Sequence, residues 1–301
     1  MMKKIIYLVP LLVIVVAGFM HASRRGTTAP LLVLFSKDRP LQLYALLESI
    51  ERNVSGDKTV AVLYHAAQDQ YQEGYNELIE RFPGILWYAQ SRDNPRADFK
   101  TTLIDICEKH PSDYLMFAVD DMVVTLPVDC ATLVNDLEKT GAYGLYLRLG
   151  DHVDTCYMAR MYSGLPGLRL HDNRCYLWRF DTGRGDWRYP HTTDMTLYRM
   201  ADVLPALKSL NYHSPNTLEA QWSSYQVPYS RDGLCYKTAC VVNIPLNLVQ
   251  KDFANNRSLA LYSPEELHTF FVEGKKIAID PLMGVRRNTV HIEYEPTFVA
   301  R

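Results

Sequence analysis

The chain has no G-x-S-x-G elbow, no G-x-x-x-x-G-K-[ST] phosphate loop and no H-E-x-x-H helix. Those absences remove the α/β-hydrolase, P-loop and zincin chemistries. Gly183-Arg-Gly185 lacks a third glycine and does not follow the first strand-like run, so no dinucleotide fingerprint is present either. Neither sign of charge is in excess: 32 basic and 34 acidic side chains give a net charge of −2. No global electrostatic pull draws this chain to nucleic acid, and no nucleic-acid partner is expected. Internal repeats and low-complexity tails are missing too, and Cys235-Tyr-Lys-Thr-Ala-Cys240 lacks metal-ligand spacing.

What is present is an ordinary globular composition, 48% hydrophobic and 22% charged over 301 residues, enough for one large domain or two small ones. Its 20 tyrosines supply flat apolar faces with polar tips, as sugar and nucleotide sites require. The clearest break is at the N-terminus. Lys3 and Lys4 precede an uncharged run from Ile5 to Met20, and His21 to Arg25 restore polarity. A membrane span takes about 20 apolar residues and a signal-peptide core about 7–15. No A-x-A-like cleavage site follows, so the run reads as an uncleaved single-pass signal anchor. The alternative is a cleaved signal peptide and a secreted or periplasmic protein. The flanking positive charges nearly balance and set no orientation; in a eukaryote the arrangement would be Golgi-type and lumenal. The expected division is anchor and joint over residues 1–29 and one domain over residues 30–301. Six cysteines on a secretory route allow disulfides, Cys235 with Cys240 among them, although Cys107 reads equally as a buried free thiol. Two glycosylation sequons occur, at Asn53 and Asn256.

Strand and helix patterns then alternate. Ala29 to Phe35, Thr59 to Tyr64, Gly84 to Tyr88 and Tyr114 to Val119 read as buried strands. Between them, Pro40 to about Asn53 carries apolar residues at helical spacing, Gln70 to Phe82 reads as a second helix, and a third presents Phe99, Leu103 and Ile106 inward. Four alternations in about 120 residues predict an α/β domain with a largely parallel sheet flanked by helices. The second half is less regular. A helix is expected over Pro127 to Lys139, strands over Gly144 to Arg148, Cys175 to Phe180 and Tyr236 to Val242, and helices opening at Thr192, near Pro215 and at Ser263. The last carries a capping box, with Ser263 at the cap and Glu266 three residues on. The stretch from Leu149 to Arg174 holds no period, and a loop of that length in a compact domain is usually functional or mobile.

The fourth strand ends in two adjacent acids, Asp120 and Asp121. In open α/β sheets ligands gather outside the carboxyl ends of strands, and twin carboxylates there call for a cation; the plainer reading is a turn. Leu32-Val-Leu-Phe-Ser-Lys-Asp-Arg-Pro-Leu41, leading into an amphipathic helix, and Phe117-Ala-Val-Asp-Asp-Met-Val-Val124, standing where a D-x-D region would, give this half a resemblance to glycosyltransferases of the GT-A fold. In the second half, Tyr212 to Glu219, Asn243 to Gln250 and Val290-His-Ile-Glu293 resemble segments of a smaller group of glycosyltransferase-like proteins.

That resemblance implies a GT-A fold, a nucleotide-sugar donor, a divalent cation (Mn²⁺ or Mg²⁺) held by hard oxygen ligands, and a glycan, lipid or protein acceptor. Carried onto this chain, it makes Asp121 the metal ligand, Asp120 its supporting acid, and His291 a further metal ligand, with His213 and His191 as weaker alternatives. Ser36, Asp38 and Arg39 would meet the base and ribose. Arg92, Arg96, Asp98 and Lys100 cluster where they could reach the nucleotide or its phosphates, or simply be solvated. An inverting enzyme would need a base: Asp194, at the expected helix start, or Glu219, beside a Trp222 indole that could stack on an acceptor sugar. A retaining one would not. The chain departs from D-x-D in carrying Val119 where the first acid would stand. The rival expectation is therefore a catalytically degenerate domain that binds glycan or protein.

Overall fold

The computed structural model describes residues 27–249, 252–253, 258 and 261–301. The expected anchor and the sequon at Asn256 lie outside them. Among the described residues no helix is long and apolar enough to cross a membrane.

Nine strands form the central sheet: β1 (Leu31–Lys37), β2 (Thr59–His65), β3 (Leu86–Ala89), β4 (Tyr114–Val119), β5 (Gly144–Tyr146), β6 (Arg169–His171), β7 (Cys175–Arg179), β8 (Thr196–Arg199) and β9 (Asp232–Tyr236). Their order across the sheet is β6-β7-β9-β5-β8-β4-β1-β2-β3. β4, β1, β2 and β3 run parallel, β8 is antiparallel to both β4 and β5, and β9 is parallel to β5. Among the described residues seven helices cover the two faces: α1 (Pro40–Asn53), α2 (Asp69–Arg81), α3 (Pro95–Lys109), α4 (Cys130–Thr140), α5 (Met200–Ser209), α6 (Pro215–Trp222) and α7 (Pro264–Val272).

The period of two along β1 divides the core. Leu32 and Leu34 join a cluster with Leu43 and Leu47 of α1, Leu78 of α2, Leu133 of α4 and Phe271 of α7. Leu31, Val33 and Phe35 join one with Phe99 and Leu103 of α3, Val203 of α5 and Leu218 of α6. A strand buried on both faces has to be apolar throughout, hence the continuous run read in the sequence. Four helices start on proline, whose missing N–H is not needed there. The capping box on α7 is formed, Glu266 N donating to Ser263 Oγ at 3.1 Å and Ser263 N to Glu266 Oε2 at 2.7 Å.

Four local expectations are corrected. Thr192 does not open a helix: Thr196–Arg199 is a strand between β4 and β5, and α5 begins only at Met200. Thr196, Leu197 and Tyr198 are fully buried there, so pairing on both sides overrides the capping-like threonines. The strand expected from Tyr236 to Val242 is two: β9 ends at Tyr236, and Val241–Asn243 pairs instead with Met122–Val124 beyond β4. All six cysteines are buried free thiols, so no disulfide forms. Asn53 is also buried and donates Nδ2 to Val124 O at 2.7 Å, which makes its sequon a structural amide with no room for a glycan.

The topology fixes where a ligand would sit. From β1 the chain steps one way to β2 and β3, then returns to the other side of β1 for β4. That reversal opens a crevice at the carboxyl ends of β1 and β4. Ser36 to Arg39 and Asp120-Asp121 flank it.

Candidate functional site

A cleft of about 680 Å³ occupies this crevice. Residues at or just after the ends of β1, β2, β3 and β4 line one wall, among them Ser36, Lys37, Arg39, His65, Gln90, Asp120 and Asp121. Arg148, Asp186, Tyr189, Asp194 and Glu219 line the far end, and Asn243, Val249, Asp252 and His291 complete it.

The first wall is built on a left-handed residue. Asp38 has φ 54°, a conformation an aspartate tolerates, and its Oδ1 accepts from Ala67 N at 2.7 Å. Burial raises its pKa. The turn lets the buried Arg39 guanidinium lie under the end of β4. There Nη1 meets Asp120 Oδ1 at 2.9 Å, Nε donates to Asn247 Oδ1 at 2.9 Å, and Nη2 donates to Asn247 O. Burial pulls the Arg39 pKa down, but Asp120 and Asp121 outweigh it and raise it above the ordinary value.

The twin acids differ in what they still lack. Asp120 is satisfied: besides Arg39, its Oδ2 accepts from Ser36 Oγ at 2.9 Å and Lys37 N at 3.2 Å. Asp121 has a single long contact from Asn243 Nδ2, at 3.4 Å, and an ion-pair distance of 3.9 Å to Arg39. Burial raises its pKa, with Arg39 opposing and Asp120 reinforcing. This carboxylate is short of positive partners. His291 bears on it electrostatically and is bridged to Asn243. The His291 ring stacks on Tyr157 at 5.7 Å, and its Nδ1 is buried with no partner, as is Asn243 Oδ1.

Among the described residues no group of three or more His, Cys, Asp and Glu is placed to hold a metal. Those four residue types alone form no cage among the described residues. Asp121, the unpartnered His291 Nδ1 and the unpartnered Asn243 Oδ1 instead fit a hard cation that completes its shell from substrate oxygens and water, as Mg²⁺ commonly does.

At the far end, Arg148 is buried to 2% exposure. Its Nη1 lies 3.1 Å from Asp194 Oδ2 and 3.6 Å from Asp186 Oδ1. Asp194 stands not at a helix start but before β8, ahead of Met195 with its strained φ of 34°. Glu219 Oε1 accepts from Thr193 N at 2.5 Å. Burial first, then Asp194, push its pKa up to about 7, with the Thr193 bond and Arg148 opposing.

The remaining candidates separate. Arg96 and His213 line the cleft and both contact Asp252, at 2.9 and 3.3 Å. Asp38, Asp98 and Lys100 do not line it. Asp98 accepts from Ser91 N at 2.6 Å, and Lys100 donates to the carbonyls of Lys208 and Leu210. Arg92 pairs with Asp69 on the surface. His191 is a core residue, bonded to Trp222 O and Tyr143 Oη, and burial lowers its pKa to about 4. Trp222 stacks on it at 4.7 Å and is 1% exposed, so the indole offers no face to an acceptor.

Arg148, Asp186, Asn243 and Asn247 carry much of the site and were not singled out by residue type. Arg148 ends the apolar Gly144 to Leu147 run, so the strand-end argument that found Asp120 would have found it too.

Fold and site define an α/β protein with a partly parallel nine-stranded sheet and an acid- and arginine-lined cleft. No protein-family model and no curated protein matches the chain. Solved structures similar to it include S. aureus TarS 1–349, at 9% identity and TM-score 0.40 over 68% of this chain and 60% of that one. GalNAc-T7 with UDP, GalNAc and Mn²⁺ is similar at 12% identity and TM-score 0.48, over 82% and 48%. A third is 4-diphosphocytidyl-2C-methyl-D-erythritol synthase, at 12% and 0.35, over 64% and 84%. The chain thus spans less than two thirds of TarS 1–349 and of GalNAc-T7. Activity has to be argued from the cleft itself.

Proposed function

We propose that the protein is a glycosyltransferase that takes a nucleotide-sugar donor together with a divalent cation and transfers the sugar to an acceptor hydroxyl. One observation carries the reading. A single cleft holds an under-partnered, half-buried carboxylate, Asp121, and a second carboxylate, Glu219, raised toward neutral pH.

Asp121 and His291 would hold the cation, which when bound neutralises charge on the departing nucleoside diphosphate. Asp120 acts as a positioning residue: with both oxygens engaged, it fixes Arg39 and the Ser36-Lys37 turn against the β4 end. Lys37 and Arg96, on the same wall, favour the approach of a polyphosphate. Glu219 accepts the acceptor's hydroxyl proton as that oxygen attacks the sugar's anomeric carbon, and the anomeric bond's electron pair leaves on the phosphate oxygen. A base raised to about 7 suits proton transfer near neutrality better than an ordinary carboxylate. Asp194, already paired with Arg148, sets the field around Glu219.

Asp121→Asn tests this directly. It should abolish Mn²⁺-dependent hydrolysis of the donor sugar nucleotide, and hydrolysis retained in that variant would place the metal elsewhere.

A further inference from the structure

The far end of the cleft differs in character from the wall under β1 and β4. On that wall the Arg39 guanidinium is fully engaged, its Nε, Nη1 and Nη2 all donating to Asn247 or Asp120. Around Arg148, one guanidinium faces three carboxylates, Asp186, Asp194 and Glu219, all of which bear on it. Arg148 also carries an unmet demand: it is 2% exposed, it lines the cleft, and its Nε and Nη2 have no hydrogen-bond partner. Buried donors left unpaired are costly, so a group that fills this end and accepts from them gains what the empty cleft forgoes.

The partner has to accept a hydrogen bond, which excludes an ammonium group. A carboxylate or phosphate would accept, but Asp186 and Asp194 already neutralise Arg148, and the surplus negative charge repels a second anion. A hydroxyl meets both conditions, accepting from Arg148 and donating to a neighbouring carboxylate. Two such groups on adjacent carbons would meet both free nitrogens. Tyr189 adds the flat surface a sugar ring needs: it is half-buried in the cleft lining, its ring centre 5.9 Å from Arg148 Cζ.

We propose that the Arg148 end of the cleft is an acceptor subsite for a neutral sugar presenting adjacent hydroxyls, and that Arg148 with Asp186 discriminates against acceptors bearing an acid group there. The assignment rests on the transferase reading for its role in catalysis, but not for its binding chemistry. Arg148 and Tyr189 hold the ring, and Asp186 sets the sign of charge that is admitted.

The test uses the full chain with methyl glucoside, methyl galactoside and methyl glucuronide as probes, read by saturation-transfer NMR. The same samples are titrated with UDP and GDP plus Mn²⁺ by thermal shift. At least one neutral glycoside should bind at about 10 mM while the glucuronide does not. Arg148→Lys, which loses the planar fork, should weaken neutral-sugar binding about tenfold. Asp186→Asn should admit the glucuronide. A cooperative melt in the thermal-shift runs establishes that each variant is folded; if Arg148→Lys is not, the Asp186→Asn result decides. Glucuronide binding equal to glucoside in the unaltered protein, no neutral glycoside binding, or continued exclusion of glucuronide by Asp186→Asn overturns the proposal. Sugar discrimination without any nucleotide response would sink the transferase reading and leave the subsite standing.

Discussion

Replacing Arg39 with leucine removes a guanidinium that sits among Asp120, Asp121 and Asn247, all at the carboxyl end of the sheet. Leucine fills part of the volume but donates nothing. Asp120 Oδ1 and Asn247 O lose their donor, Asn247 Oδ1 keeps only Gln42 Nε2 at 3.4 Å, and two adjacent carboxylates face each other without the intervening cation. Removing one partner of a buried ion pair costs about 3–5 kcal/mol. In a domain of this size each kcal/mol lowers the melting temperature by about 2–4 °C, so a fall of roughly 10 °C is expected. The deficit should depend on pH. Burial already raises Asp121, and losing Arg39 removes the main influence opposing that rise. A carboxyl whose folded pKa exceeds its unfolded value binds more protons when folded. Its penalty is therefore absent below the unfolded value of 3.8, grows as pH rises toward the folded value, and is full above it. Thermal melts of Arg39→Leu at pH 5 and pH 8 should thus show a smaller loss at pH 5. Adding Asp120→Asn, which removes one of the two charges, should recover part of it. A variant that melts with the unaltered protein at both values, or a loss indifferent to pH and to Asp120→Asn, would refute the claim that Arg39 is held there by the acid pair.

Two further outcomes are expected. Glu219 acts as base only when ionised, so kcat for transfer should climb with pH through about 7. Glu219→Gln should lower kcat about 10²–10⁴-fold and erase that limb, and an unchanged pH profile would pass the role to another group. Asn53→Ala leaves Val124 O without its donor and should destabilise the fold by about 1–3 kcal/mol in chemical denaturation, whereas a surface sequon would give no change.

The parallel half of the sheet was legible because burial on both faces leaves its mark in the chain itself: β1 and β4 are continuous apolar runs, and proline marks the starts of α1 and α7. Ser36 and Arg39, named from the resemblance, and Asp120 and Asp121, named from the strand end, line the cleft. The second half resisted because its residues take their states from distant partners. Thr196–Arg199 is a strand on account of β4 and β5 on either side, a pairing no local pattern announces. Arg148 matters through an acid 46 residues further along, and Trp222 is lost to the core through His191. Asp194 was found for the wrong reason: it lies in the cleft, but before a strand and not at a helix start. The V-D-D spelling also gains a physical meaning. The first acid of the pair is occupied by Arg39, leaving Asp121 as the one short of a cation.

The central claim is that this cleft takes a nucleotide diphosphate with a divalent cation. Thermal shift of the full chain with UDP and GDP, each with and without Mn²⁺, measures it most directly. The account predicts that at least one nucleotide raises the melting temperature only when Mn²⁺ is present, and that Asp121→Asn loses the response. No rise with either nucleotide in the presence of Mn²⁺ would contradict it and leave a GT-A-like domain that binds without transferring.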